Sequence, residues 1–216
     1  MIRDMIGWMT RNKPIWLSNG DLLWPIMAEF TSAQSMFYRI SRKELDNGAE
    51  ECVIQEPDAF ITGDVLQPSI VENEKGKLFC VMRTTEKTLN CPHLIATSRS
   101  DDFGHSWSVI TPTKERIPNP ESGVDMVKLE NGHIVMVCNP LPSGRQRLSA
   151  FLSEDGGISF PISRDIEPEN GVIGDGEYSY PAVIQTKDGV IHCTYTNLRQ
   201  NIKHVAFNEN WIKTGK

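Results

Sequence analysis

Hydrophobic and polar positions along the chain repeat with a period of about 56 residues. Each repeat contains an apolar run, a polar turn that ends in glycine, and a second apolar run, which is the pattern of two strands joined by a tight turn. The turn glycines are Gly20, Gly76, Gly132 and Gly189, at spacings of 56, 56 and 57 residues. The pattern therefore predicts four antiparallel β-hairpins, one in each repeat.

A second motif, S-x-D-x-G-x-S followed by Trp or Phe, occurs twice between the hairpins, 53 residues apart. In such a turn the aspartate accepts hydrogen bonds from nearby backbone amides, the glycine supplies a positive φ, and the aromatic ring packs between strands. A degenerate form around Asp46 and Gly48 lies at the corresponding place in the first repeat. The two complete motifs place Ser100, Asp102, Gly104, Ser106 and Trp107 in one turn and Ser153, Asp155, Gly157, Ser159 and Phe160 in the other.

The hydrophobic pattern predicts an all-β fold. No long segment keeps a 3.6-residue period, whereas short strands punctuated by Gly, Pro and Asn recur throughout. A radial repeat of four-stranded antiparallel sheets, a β-propeller, accommodates this pattern best. We expect one domain over residues 1–216, with repeats at about 10–60, 61–115, 116–170 and 171–216.

Composition narrows the function classes. The chain has 216 residues, 39% of them hydrophobic and 23% charged, with a net charge of -6 and no block of like charges. This balance argues against a nucleic-acid partner or a polybasic membrane patch. No apolar run is long enough to span a membrane and the first residues carry no signal-peptide pattern, so the sequence as it stands reads as cytoplasmic and leaves the localisation of a longer parent protein unknown.

Cysteine and histidine spacings give no sign of a metal or a cofactor. The five cysteines form no CxxC pair, and Cys80, Cys138 and Cys193 lie in apolar runs where we expect small buried side chains. Cys52 and Cys91 complete the set. No histidine has metal-ligand spacing and no glycine-rich phosphate loop appears, so no metal and no cofactor are expected.

The paired S-x-D-x-G-x-S-[WF] motifs resemble the Asp boxes of the sialidase (neuraminidase) superfamily. Within that superfamily the chain is similar to bacterial BNR-repeat proteins, on the phrases "GWMTRNKPI", "QPSIV", "NPESGVD" and "GEYSYPAVIQTKDGVIHCTYT". The resemblance implies a six-bladed propeller, of which this chain would hold about four blades and would lack two N-terminal ones. It also implies a carbohydrate partner. A partial propeller exposes strand edges and a blade face, which would favour self-association.

The resemblance implies a tyrosine nucleophile. A sialidase substrate bears a carboxylate at its anomeric carbon, so a neutral phenol activated by a glutamate avoids the repulsion that a carboxylate nucleophile would meet. The family nucleophile lies in a Tyr-Ser pair before the final hairpin, which Tyr178 and Ser179 match. Packing at the mouth of the propeller is the competing interpretation of Tyr178. We expect Tyr180 as a contact residue.

The resemblance also implies arginines that grip the substrate carboxylate, because the guanidinium fork matches it in a bidentate way. Arg83 is available for one of them, although Pro92-His93-Leu94 stands where an arginine often lies. Arg145 or Arg147 is available for another. The first arginine and the acid/base aspartate of the family would lie on the N-terminal blades outside this chain.

Gln67 departs from the family pattern, which has a glutamate before a proline at this blade start. An amide cannot accept the phenolic proton. Glu177 could replace that base, although adjacent residues of a strand point to opposite faces. Other polar residues at the blade starts could line a carbohydrate pocket: Arg11, Asn12, Lys13, Asn119, Ser122, Asp125 and Asn139.

Two functions follow from these expectations. The first is a sialidase-like exo-glycosidase acting on a terminal, acidic sugar, whose catalytic group would comprise Tyr178, Glu177 and the Gln67 position. The second is a noncatalytic carbohydrate-binding propeller, which the neutral Gln67 favours. The third hypothesis is that the chain is an inactive gene fragment. A Tyr178→Phe change separates the first two, because it should abolish hydrolysis and leave sugar binding intact.

Overall fold

The computed structural model describes residues 8–29, 33–46, 57–169 and 176–216. Within them the chain forms sixteen strands in four antiparallel sheets, which are the blades, and two short helices. The prediction of an all-β propeller is confirmed. Gly48 and Cys52 lie outside the described residues.

Blade 1 has five strands because its innermost strand is interrupted at Arg11–Pro14. The two pieces, β1 and β2, both pair with β3, and the sheet continues through β4 to β5. Helix α1 follows β4, and its Asp46 pairs with Arg42 one turn away. The bounds are β1 Trp8–Thr10, β2 Ile15–Trp16, β3 Leu22–Ala28, β4 Gln34–Ile40, α1 Arg42–Asp46 and β5 Ala59–Ile61.

Blades 2 and 3 have the expected four strands, each paired with the next along the chain. Blade 2 comprises β6 Val65–Glu74, β7 Lys77–Thr84, β8 Ala96–Ser100 and β9 Thr111–Pro112. Blade 3 comprises β10 Asp125–Lys128, β11 Ile134–Cys138, β12 Leu148–Ser153 and β13 Ile162–Glu167.

Blade 4 differs from the expected four strands, because the described residues supply three. They are β14 Tyr178–Gln185, β15 Ile191–Asn197 and β16 Asn201–Phe207, followed by helix α2 Glu209–Thr214. The helix packs back on blade 3, where the Arg164 guanidinium lies 5.5 Å from the centre of the Trp211 indole. After β16 the chain therefore continues into a helix, and the described residues add no fourth strand beside β16.

Three hydrophobic layers join the blades in sequence order. Leu23, three residues after the first turn glycine, is buried between blades 1 and 2, Phe79 between blades 2 and 3, and Val135 between blades 3 and 4. Cys80, Cys138 and Cys193 are fully buried in these layers, as expected, and burial raises the pKa of the Cys193 thiol to about 12. The outer face of blade 4 has no such partner among the described residues. Self-association through it stays a prediction.

The two Asp-box turns have the same hydrogen bonds. In the first, the Asp102 carboxylate accepts from the Ser106 amide at 2.9 Å and from the Ser100 hydroxyl at 2.7 Å, and the Gly104 amide donates to Ser100 Oγ at 2.8 Å. The Trp107 ring stacks on Phe37, with centroids 4.5 Å apart. In the second, the corresponding bonds of Asp155, Ser153, Ser159 and Gly157 repeat this pattern, and Phe160 packs against Phe79.

Candidate functional site

Four equivalent residues begin the inner part of the four blades. Arg11, Gln67, Gly123 and Tyr180 each lie nine residues before the turn glycine of their hairpin. Inner strands meet at the centre of a propeller, so equivalent positions on them face one another. We call these four residues the inner ring.

Backbone irregularities mark two members of the inner ring. Gln67 and Tyr180 have φ values of 54° and 52°, each precedes a proline, and each lies in a β-bulge where the strand register shifts. Positive φ is costly for residues with a Cβ, and such strain concentrates at functional sites. A bulge also redirects the side chain relative to strict alternation along the strand.

Arg11 occupies space that Gly123 leaves open. A Cβ on Gly123 would lie 2.8–2.9 Å from three atoms of the Arg11 guanidinium. The guanidinium donates to the carbonyls of Val124 and Pro181, both at 2.9 Å. These hydrogen bonds connect blade 1 to the beginning of the inner strand in blades 3 and 4.

Arg83 lies close to Arg11, and Arg145 and Arg11 both lie beside the Tyr180 ring. Burial lowers the pKa of Arg11, Asp125 and Tyr180 oppose this effect, and repulsion from Arg83 adds to it. Arg11 nevertheless stays a cation at any physiological pH. The guanidinium of Arg145 lies 5.3 Å from the centre of the Tyr180 ring, and that of Arg11 lies 5.8 Å from it. Two cations beside one aromatic ring, with a third near Arg11, make this place favourable for an anion.

The structure separates Arg145 from Arg147. Arg145 donates to the Glu121 carbonyl at 3.0 Å, which directs its guanidinium toward Tyr180. Arg147 instead donates to Asp165 on the neighbouring strand at 2.8 Å. Arg145 therefore belongs to the group around the inner ring, and Arg147 belongs to a surface ion pair.

The two tyrosines also have different surroundings. The Tyr178 ring packs edge-on against Tyr195, with centroids 6.2 Å apart, in the hydrophobic layer between blades 3 and 4. Tyr180 is 46% exposed and lies next to Arg11 and Arg145. The structure thus brings Tyr180, rather than Tyr178, to the cations.

Polar atoms at this place are buried without hydrogen-bond partners among the described residues. They include Gln67 Oε1, Arg83 Nε and both carboxylate oxygens of Glu177. Glu177 Oε1 lies 3.5 Å from guanidinium nitrogens of both Arg145 and Arg199, which is an ion-pair distance without a hydrogen bond. Buried polar groups are normally satisfied, so these atoms could accept or donate to a ligand.

Asp125 has the opposite surroundings. Its carboxylate, 3% exposed, accepts from Lys13, from the Ser69 hydroxyl at 2.7 Å and from the Val183 amide at 2.8 Å. These donors belong to blades 1, 2 and 4, and Asp125 belongs to blade 3. We call Asp125 and its donors the central hub. It holds all four blades together and leaves no lone pair obviously free for a sugar.

Asn119 and Asn12 are likewise engaged within the protein. Asn119 is fully buried in a tight turn. Its side-chain amide donates to the Ser122 carbonyl and accepts from the Ser122 backbone amide. Asn12 donates to backbone carbonyls on blades 2 and 3. These two side chains stabilise the blade starts rather than opening onto the mouth.

Three residues that contact the site were not predicted from the sequence: Gly123, Glu121 and Arg199. Gly123 provides room for Arg11, Glu121 positions Arg145 through its carbonyl, and Arg199 contacts Glu177. Gly123 could have been found by counting nine residues back from each turn glycine. The other two act through contacts that no local pattern records.

The fold and the inner ring define a β-propeller with BNR-type repeats. The family described as BNR repeat-like domain matches residues 5–193, and the chain belongs to this family. None of the curated proteins compared with the chain matches it in sequence. No helix among the described residues has the length and apolarity that a membrane crossing would need.

Solved structures of carbohydrate-active proteins share the fold. The NanB sialidase from Streptococcus pneumoniae superposes with a TM-score of 0.69 at 18% identity, over 91% of this chain and 30% of that one. The intramolecular trans-sialidase from Ruminococcus gnavus gives 0.66 at 19% identity, over 93% and 44%. The α-L-arabinofuranosidase Arb93a from Fusarium graminearum gives 0.58 at 12% identity, over 96% and 80%. The chain spans about a third of the NanB structure and under half of the trans-sialidase.

Proposed function

We propose that the inner ring and its neighbouring arginines bind the carboxylate of a terminal acidic sugar, as part of a sialidase-like glycosidase. The observation that carries the proposal is the placement of Arg11 and Arg145 over the Tyr180 ring, with Arg83 close enough to Arg11 to repel it. Cations gathered in this way repel one another, and an anion relieves that repulsion. A carboxylate also fits the guanidinium fork.

Tyr180 is the phenol that we assign to the nucleophile in this proposal. It is exposed, strained and next to the arginines, whereas Tyr178 is packed between blades. In the proposed step the Tyr180 oxygen forms a bond to the anomeric carbon as the bond to the leaving group breaks. The phenolic proton passes to a carboxylate, for which Glu177 is the candidate because it shares Arg145 with Tyr180. With an aryl glycoside the leaving group departs as a stabilised phenolate and takes its proton from water, so the step needs no separate general acid.

Gln67 favours a second candidate, a propeller that binds the acidic sugar without cleaving it. Its amide stands in the inner ring, where the sialidase resemblance implies a base, and an amide accepts no proton. A pocket with the anion-binding arginines and without that base would bind sugar and turn it over slowly or not at all.

The experiment measures release of 4-methylumbelliferone from terminal sialosides, uronosides and deoxyhexosides, with sugar binding measured in parallel by calorimetry. The variants are Tyr180→Phe, Arg145→Met and Gln67→Glu, with Tyr178→Phe and Arg147→Met as matched controls. The glycosidase proposal predicts hydrolysis that Tyr180→Phe abolishes and that Gln67→Glu increases, with binding retained in both variants.

The binding candidate predicts no hydrolysis by the wild-type chain, and sugar binding that Arg145→Met removes and Arg147→Met leaves unchanged. Absence of both hydrolysis and binding would overturn the assignment of this site. Loss of function in the control variants at the same level as in the site variants would overturn the assigned residue roles.

A further inference from the structure

Two histidines of blade 4 lie side by side on the face of the sheet that is turned away from blade 3. His192 is on β15 and His204 on β16, and His192 Nδ1 lies 3.0 Å from His204 Nε2. The ring planes differ by 14° and the centroids are 5.2 Å apart. Because this separation is nearly the N···N distance plus the two ring radii, the rings meet edge to edge with their facing nitrogens opposed.

The repeat shows how unusual these histidines are. The residue three positions after the turn glycine is Leu23 in blade 1, Phe79 in blade 2 and Val135 in blade 3, each buried against the next blade. In blade 4 it is His192. The residue of blade 3 that corresponds to His204 through strand pairing is the buried Ala150. A chain that breaks its own pattern at two touching positions points to a function at that place.

A cavity of about 610 Å³ adjoins the pair. Besides the two histidines, its lining includes Ile184 and Thr194 of blade 4 and reaches Lys13 and Arg11 at the centre. Lys13 is neutralised by Asp125. Both histidines therefore border a cavity large enough to admit an ion.

We infer that His192 and His204 together bind a divalent transition-metal ion such as Zn²⁺. Imidazole nitrogens suit zinc, copper and nickel, and two of them on one zinc ion, at about 2.0–2.1 Å each, lie about 3.3 Å apart. The observed 3.0 Å is close to that spacing. A rotation of about 35° of each exposed ring turns both lone pairs toward one point in tetrahedral geometry. The ring that donates the present hydrogen bond moves its proton to its other nitrogen, so two neutral imidazoles bind without net proton release.

The site is independent of the proposed glycosidase chemistry. The sequence gives no hint of it, because the two histidines are twelve residues apart and only the β15–β16 pairing brings them together. A second cluster, His133 with Glu154 and Glu209, also has its ligand atoms within 4.8 Å of one another. There the Lys213 ammonium lies 2.5 Å from both carboxylates and already supplies the positive charge.

The test is calorimetric titration of the full 216-residue chain with ZnCl₂ at pH 7.5. His192→Ala and His204→Ala are the site variants, with His204→Gln as a second replacement that keeps a polar side chain. His105→Ala, an exposed histidine in an Asp-box turn, and His133→Ala are the controls. Circular dichroism establishes that each variant is folded.

We expect the wild-type chain and both controls to bind one Zn²⁺. Each site variant should weaken binding at least about tenfold, a loss seen even when groups behind a metal ligand are removed. Lowering the pH to 5.5 should also weaken binding, because both imidazoles must be unprotonated. The inference is overturned if the wild-type chain binds no Zn²⁺, if the site variants bind as tightly as wild type, or if His133→Ala removes the binding instead.

Discussion

The central hub and the inner ring lie a few residues apart along each blade, yet their polar groups differ in how completely they are partnered. The Asp125 carboxylate accepts from side chains or backbone of the three other blades. In the inner ring and among its neighbours, by contrast, Gln67, Arg83 and Glu177 keep buried polar atoms without hydrogen bonds among the described residues. A fully partnered polar cluster stabilises a fold, whereas a partly partnered one is poised for a ligand.

The largest expected effect is on stability, at the central hub. Asp125→Ala removes the buried carboxylate to which Lys13, the Ser69 hydroxyl and the Val183 amide donate, so we expect a loss of about 3–5 kcal/mol in the free energy of unfolding. Chemical denaturation measures it. Asp46→Ala is the matched control, because its exposed ion pair with Arg42 should contribute less than about 0.5 kcal/mol. Equal losses in the two variants would remove the distinction between hub and surface.

The next effect is on function, at the inner ring. Tyr180→Phe should lower hydrolysis at least about 100-fold, because it removes the only atom that could attack the sugar in our proposal. The free energy of unfolding should change little, since the ring keeps its contacts with the arginines. Tyr178→Phe should leave the rate near that of the wild type. The reverse ranking of the two tyrosines would return the nucleophile to Tyr178.

A smaller effect links the two regions through Gly123. Gly123→Ala places a methyl group where the Arg11 guanidinium lies, and we expect a loss of about 1–3 kcal/mol in stability together with weaker binding of an acidic sugar. In the Arg11→Ala background the same methyl group fills vacated space, so the cost should largely disappear. A double-mutant cycle measures this coupling. Additive losses would show that Gly123 does not position Arg11.

The smallest effect is a pH dependence in the Asp boxes. Burial alone would raise the pKa of Asp102, but hydrogen bonds from Ser106 and Ser100 lower it to about 2. A carboxyl group with a lowered pKa stabilises the fold above its ordinary pKa near 4, and this contribution disappears as the pH falls toward 2. Asp102→Asn should therefore cost roughly 1 kcal/mol at pH 7 and flatten the acid side of the stability profile. Asp101→Asn, at the exposed variable position before Asp102, is the matched control.

The hairpins, their turn glycines and the propeller class were predictable from the sequence, because strand alternation and turn chemistry are local. Arg11, Gln67 and Tyr180 were also named from their blade starts. What the sequence did not provide is the direction of their side chains. The family resemblance ranks Tyr178 first through its Tyr-Ser pair, whereas the structure places the Tyr180 ring beside Arg11 and Arg145. Arg147 pairs with Asp165, eighteen residues away. The three strands of blade 4 were not predicted either, since the chain turns into helix α2 after β16.

The most direct test of the account is calorimetric titration of the chain with a terminal sialoside and with the neutral methyl ester of the same sialoside. The account predicts that the acid binds, that the ester binds much more weakly, and that Arg145→Met removes this difference while Arg147→Met preserves it. Equal affinity for acid and ester, or a difference that survives Arg145→Met, would contradict an anion site at the inner ring.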